Sequence, residues 1–144
     1  MHRKTVGRDG AERLEKLTLF GGLSMGQRRM LARVLDEITA EAGETLMREG
    51  DPGYEVLVLE EGTAEVVQHG ARINELGPGD LFGELAVLED GAPRTATVVA
   101  LSPLRAIVLT AHFMREVRER MPGVGEQILR TAGAHRQRDE QAGQ

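Results

Sequence analysis

The stretch YEVLVLEEGTAEVVQHGARINEL, residues 54–76, decides the fold class. Its segments YEVLVLE (54–60) and TAEVVQ (63–68) are rich in β-branched and apolar residues and are separated by Glu61-Gly62. That pattern predicts two antiparallel strands joined as a hairpin. His69 falls at the following turn, within QHGAR, and ARINEL (71–76) predicts a further strand.

The same texture extends outward from about Asp36 to Thr110. Glycines recur at 43, 50, 53, 62, 70, 77, 79 and 91, and TATVVAL (95–101) and LRAIVLT (104–110) continue the series. Pro52, Pro78, Pro93 and Pro103 fall at strand edges or turns, where a missing N–H costs little. Many short strands with glycine turns predict a sandwich, jelly roll or small barrel.

Helical patterns flank this region. Glu12–Phe20 carries Leu14, Leu17 and Leu19 at amphipathic spacing. Ser24 is a plausible N-cap for a second helix, in which Met30, Leu31, Val34, Leu35 and Ile38 recur near helical spacing. After Thr110, HFMREVRERM (112–121) places Phe113, Met114 and Val117 on one side, and beyond Pro122 an apolar stripe runs through Val124, Ile128, Leu129 and Ala132. The expected fold is mainly β: an antiparallel β-roll (a double-stranded β-helix or jelly roll) with N-terminal helices and C-terminal lid helices. A single domain is expected over 1–144, with its core at about 12–138 and flexible ends at 1–11 and 139–144.

Composition narrows the function classes. The 144 residues include no cysteine, which removes disulfides and thiolate metal sites. MHRKTVGRDG lacks an apolar signal region, and no run approaches the ~18 apolar residues of a membrane span. A cytoplasmic protein without membrane contact is expected. Net charge is −5, so the overall field repels nucleic acid. Arg115, Arg118, Arg120, Arg130, Arg136 and Arg138 are interleaved with Glu116, Glu119, Glu126 and Asp139, the pattern of a solvated helix face. His2, His69, His112 and His135 are scattered singly, so no metal centre or metal cofactor is expected. No nucleophile–base arrangement stands out, and no enzymatic activity is expected.

The stretch FGELAVLEDGAPRTATV (82–98) carries the chemistry. A short helix beginning near Gly83 would point unpaired N–H groups outward, a small anion site, and Gly83 would let a ligand approach the backbone. Arg94 adds a planar fork of donors suited to phosphate. Glu84 beside an anion makes sense if it accepts hydroxyls carried by the same ligand, as in a ribose. Phosphate, ribose and an accompanying apolar base fit together.

These residues, FGELA followed ten residues after Glu84 by Arg94 in RTATV, resemble the phosphate-binding cassette of cyclic-nucleotide-binding domains. LTLFGGLS (17–24), GETLMREGDPGYEVLVLEEGTAEV (43–66) and ELGPGDLFGE (75–84) extend the resemblance across nearly the whole chain. It implies that Glu84 binds the ribose 2′-hydroxyl and Arg94 the cyclic phosphate. It further implies that backbone groups of Gly83, Leu85 and Ala86 complete the cradle, and that Thr95 contacts phosphate or base. The implied ligand is cAMP, with cGMP as the alternative, and the implied role is a sensor that couples binding to movement of the C-terminal helices. Those helices are shorter than in family members that regulate transcription, and Gly133 interrupts them. Their apolar stripe could instead form a homodimer seam. The competing reading is a degenerate roll that serves as a protein-interaction scaffold without binding nucleotide.

Overall fold

A computed structural model describes residues 1–7, 10–83, 91–126 and 130. The run VLVL at 56–59 is apolar at every position because its strand, β4 (Glu55–Glu61), is buried on both faces. Val56 and Val58 enter a core shared with the helices, whereas Leu57 and Leu59 enter a core between two sheets. Strict period-two alternation sends successive side chains to opposite faces.

The first sheet runs in the order β1 (His2–Thr5), β2 (Asp36–Ala40), β9 (Leu104–Thr110), β4, β7 (Leu81–Phe82). The second runs β3 (Thr45–Met47), β8 (Thr97–Ala100), β5 (Ala64–Gln68), β6 (Ala71–Leu76). Among the described residues every strand pairing is antiparallel. Helices α1 (Gly10–Glu15), α2 (Met25–Val34) and α3 (Ala111–Arg120), with a 3₁₀ turn at Thr18–Phe20, cover the outer face of the first sheet through Leu14, Phe20, Leu31, Met114 and Val117. The predicted mainly β roll with flanking helices is the observed architecture.

Local signals hold where the chemistry is local. Ser24 caps α2 in a reciprocal capping box with Gln27. Thr110 caps α3 by accepting from the Phe113 N–H at 2.9 Å. No helix among the described residues is long and apolar enough to cross a membrane.

Four expectations change. The predicted hairpin across Glu61-Gly62 does not form: β4 pairs with β9 and β7, and β5 pairs with β8 and β6. Gly62 is instead the corner where the chain leaves one sheet for the other. Its φ is +89°, and a Cβ there would collide with the Pro103 carbonyl oxygen. The local hairpin is the next one, β5–β6, turned at His69-Gly70 with φ of 51° and 79°. The predicted helix at 12–20 divides into α1 and the 3₁₀ turn, because Leu17 adopts extended backbone between them. The predicted second helix ends at Val34, and Ile38 belongs to β2. Its buried face uses Leu31 and Ala32, leaving Met30 and Val34 exposed. Finally, residues 2–5, expected to be flexible, pair along β2 from His2–Thr39 to Thr5–Asp36. Of the expected lid stripe, Val124 packs in the helical core; Ile128, Leu129 and Ala132 lie outside the described residues.

Glu60 ties α1 to the sheets. It sits where the β4–β9 register shifts between Leu59 and Glu61. Arg13 clasps its carboxylate with Nε and Nη2, both at 2.7 Å, and reaches Glu37 with Nη1 at 3.0 Å. Arg105 adds bonds at 3.0 and 3.3 Å. Burial pushes the Glu60 carboxyl up, but hydrogen bonds from Arg13 and Arg105 outweigh this and hold it below the usual carboxylate range.

A lowered folded-state pKa contributes stability above the unfolded carboxylate's pKa, and that stability is lost as pH falls through the folded value. Arg13→Ala should therefore cost about 2 kcal/mol near neutral pH. This is below the ~3–5 kcal/mol of a fully broken buried pair, because Arg105 still neutralises Glu60. Denaturant titrations across pH should show the gap to wild type closing as Glu60 is protonated. A gap that stays constant into acid would mean that Arg13 acts by packing alone.

Candidate functional site

Arg94 is placed by backbone before its side chain does anything. Residues 91–94 run antiparallel to 50–53. Arg94 N–H donates to Asp51 O at 2.7 Å, Gly50 N–H to Arg94 O at 2.9 Å, and Gly53 N–H to Ala92 O at 2.9 Å. Between these bonds Pro52 faces Pro93. This is the non-hydrogen-bonded kind of antiparallel pair, in which neither residue needs an N–H, so two prolines can oppose each other.

The guanidinium then lies in a backbone groove. Nη2 donates to Glu55 O at 2.9 Å, and Nη1 to Gly83 O at 3.3 Å. The groove exists because two positions lack a Cβ. At Gly53, a Cβ would stand 2.7–2.8 Å from the guanidinium carbon and nitrogens. At Gly83, φ is +84° and a Cβ would meet Arg94 Nη1 and the Met47 methyl at 2.6 Å. The two carbonyl oxygens orient the planar fork of guanidinium N–H donors. The arrangement therefore suits planar recognition of an anion such as phosphate.

A cleft of about 460 Å³ opens beside Arg94, between Thr45–Arg48, Asp51–Pro52, Tyr54–Glu55 and Thr110, within the range of small-molecule sites. Among the described residues no group of His, Asp and Glu could hold a metal ion.

Of the predicted site residues, the structure brings Gly83 and Arg94 together. Thr95 is exposed, and its carbonyl accepts from Gln68 Nε2 at 3.0 Å. Arg94 and Thr95 precede the strand rather than begin it, since β8 starts at Thr97. Glu84, Leu85 and Ala86 lie outside the described residues. Sequence reasoning missed Gly53, Met47 and the carbonyls of Asp51 and Glu55. The close spacing of Gly50, Pro52 and Gly53 was the available signal for a special backbone there, but a carbonyl acceptor carries no residue-type signature.

The chain was compared with known proteins. A family model described as cyclic nucleotide-binding domain matches residues 37–121, more than half of the chain. Two similar curated proteins are cAMP-dependent protein kinase regulatory subunits. The one from Yarrowia lipolytica is 39% identical over 100 residues, covering 65% of this chain and 26% of the relative. The one from Aspergillus niger is 36% identical over 121 residues, covering 83% of this chain and 28% of the relative. The chain thus spans less than a third of those relatives' length. Among solved structures, the N-terminal domain of a transcriptional regulator from Streptomyces coelicolor A3(2) is 32% identical, with a TM-score of 0.71 and coverage of 89% of this chain and 94% of the other. A cyclic nucleotide-binding domain from Methylobacillus flagellatus KT is 27% identical, with a TM-score of 0.74 and coverage of 91% and 78%.

The groove itself is testable without a ligand. Gly83→Ala should lose about 2 kcal/mol, because a left-handed backbone is strained for alanine and the Glu55 carbonyl 2.9 Å from its Cβ cannot yield easily. Gly53→Ala should cost less stability, since a side-chain end can move away, but it should displace the guanidinium. Thermal melts and the Arg94 Nε–Hε NMR resonance report the two effects. An unmoved Arg94 resonance in Gly53→Ala would mean that the fork is not seated in this groove.

Proposed function

This chain belongs to the cyclic nucleotide-binding domain family, and we propose that it is a non-catalytic, cytoplasmic sensor whose ligand is cAMP. The observation that carries this reading is the seating of Arg94, with its fork held by the Glu55 and Gly83 carbonyls beside a glycine in left-handed conformation. In a chain of net charge −5, a phosphate must be held by local donors, and this fork is shaped for one.

In this reading the cyclic phosphate meets Arg94 and the backbone N–H groups of 83–86. The Glu84 carboxylate accepts the ribose 2′-hydroxyl, which turns a charge unfavourable beside phosphate into a selective contact. Thr95 faces phosphate or base. The C-terminal helices close over the ligand, and Val124, already packed with α3 in the helical core, is where that movement would be anchored. Signal output requires the closed state to bind nucleotide more tightly than the open one. The kinase regulatory subunits among the similar proteins favour cAMP over cGMP and a protein effector.

Calorimetry with cAMP tests the reading. Arg94→Ala should lose roughly 2–5 kcal/mol of binding, the range for truncating one partner of a desolvated charge pair, and Arg94→Lys should recover only part, since the fork is lost. Wild type should bind 2′-deoxy-cAMP weakly, and Glu84→Gln should narrow that difference, because the penalty is that of leaving a carboxylate desolvated and unpaired. At ligand ~100 times its dissociation constant the domain should gain about 2.7 kcal/mol in a thermal-shift assay. Tighter cGMP binding would reverse the choice of base. No response to either nucleotide would leave the scaffold reading.

A further inference from the structure

Strand β5 stops one step short of the site. Its ladder with β8 runs from Ala64–Ala100 to Val67–Thr97 and ends there, because the chain turns back at His69-Gly70. Continued as strand, the ladder would offer Thr95 a backbone partner. In its place the Gln68 side chain reaches across, and Nε2 donates to the Thr95 carbonyl at 3.0 Å. A carboxamide N–H thus replaces the missing backbone donor.

The far side of the same segment is held as well. The Glu49 N–H donates to Thr97 Oγ1 at 3.0 Å, and the neighbouring Gly50 N–H donates to the Arg94 carbonyl at 2.9 Å. The Glu49 carboxylate also accepts the His69 N–H at 3.1 Å and lies 3.1 Å from His69 Nδ1. This fastens the turn from which Gln68 extends. His69 has positive φ without being glycine, and the turn that aims Gln68 is held by a side-chain contact from the turn that follows β3.

We propose that Gln68 is a positioning residue for the anion site. By fixing the peptide that follows Thr95, it sets the direction in which Arg94 and Thr95 leave the 50–53 ribbon. Gln68 does not touch Arg94; it acts through the Thr95 carbonyl. Its effect on nucleotide binding rests on the function proposed above, whereas its effect on the peptide does not.

The test uses the full chain, with Gln68→Ala and the near-isosteric Gln68→Met, which keeps side-chain length but has no donor. In ¹⁵N–¹H spectra without nucleotide, the Ala96 amide, which shares the Thr95 peptide, and the Arg94 Nε–Hε signal should both move in each variant. The Leu59 amide should stay in place, and melting temperatures should remain near wild type. Titrated with cAMP, both variants should bind about five-fold more weakly, the scale of one hydrogen bond. Unmoved Ala96 and Arg94 signals, or wild-type affinity in Gln68→Met, would overturn the assignment. If wild type itself failed to take up cAMP, the functional reading would fall, and the Ala96 and Arg94 signals would still decide the positioning role.

Discussion

The pairing of β4 with β9 is the constraint on which the rest depends. Val56–Leu109, Leu57–Val108 and Val58–Ile107 lie side by side, and each strand sends alternate side chains into both cores. Both ends of β4 then act at a distance. At its start, the Glu55 carbonyl receives the Arg94 fork; at its end, the register shift turns Glu60 toward Arg13 and Arg105. A doubly buried strand thus fixes the distance between the proposed anion site and the helical layer. Packed interiors resist small displacements, so a shift at one end must be answered by repacking along the strand.

Two uses of arginine separate structure from function. Arg13 and Arg105 converge on one nearly buried carboxylate and hold α1 to the sheets. Such a cluster contributes geometry more than net stability, because desolvating the charges offsets much of their attraction. Arg94 instead takes the carbonyl oxygens of Gly83 and Glu55. Those carbonyl dipoles aim its fork, and an acidic chain needs such local donors if it is to hold an anion.

The legible parts of the fold were those governed by short-range chemistry. The Ser24 cap, the strands within 54–76 and 95–110, and the turn at His69-Gly70 follow from local hydrogen bonding and period-two alternation. What failed was partner choice. Glu61-Gly62 has the composition of a hairpin turn, yet β4 finds β9 and β5 finds β8. A doubly apolar strand is better covered by two layers than by its sequence neighbour. Ile38 matched helical spacing by coincidence, because β2 follows α2 after a single residue, Leu35. Residues 2–5 lacked any apolar pattern; they pair through backbone groups and through Arg3 with Asp36 and Glu55.

The site divides in the same way. By itself the sequence determined that Gly83 and Arg94 stand eleven residues apart in a segment that resembles a phosphate-binding cassette, because a missing Cβ and a guanidinium are properties of residue type. Only the tertiary structure decided what holds that arginine: the carbonyls of Asp51, Glu55 and Gly83, the absent Cβ of Gly53, and the carboxamide of Gln68 behind Thr95. Every residue has a backbone carbonyl, so its use as an acceptor leaves no mark in the sequence. It becomes specific only when strands distant along the chain are brought within three ångströms or so of each other.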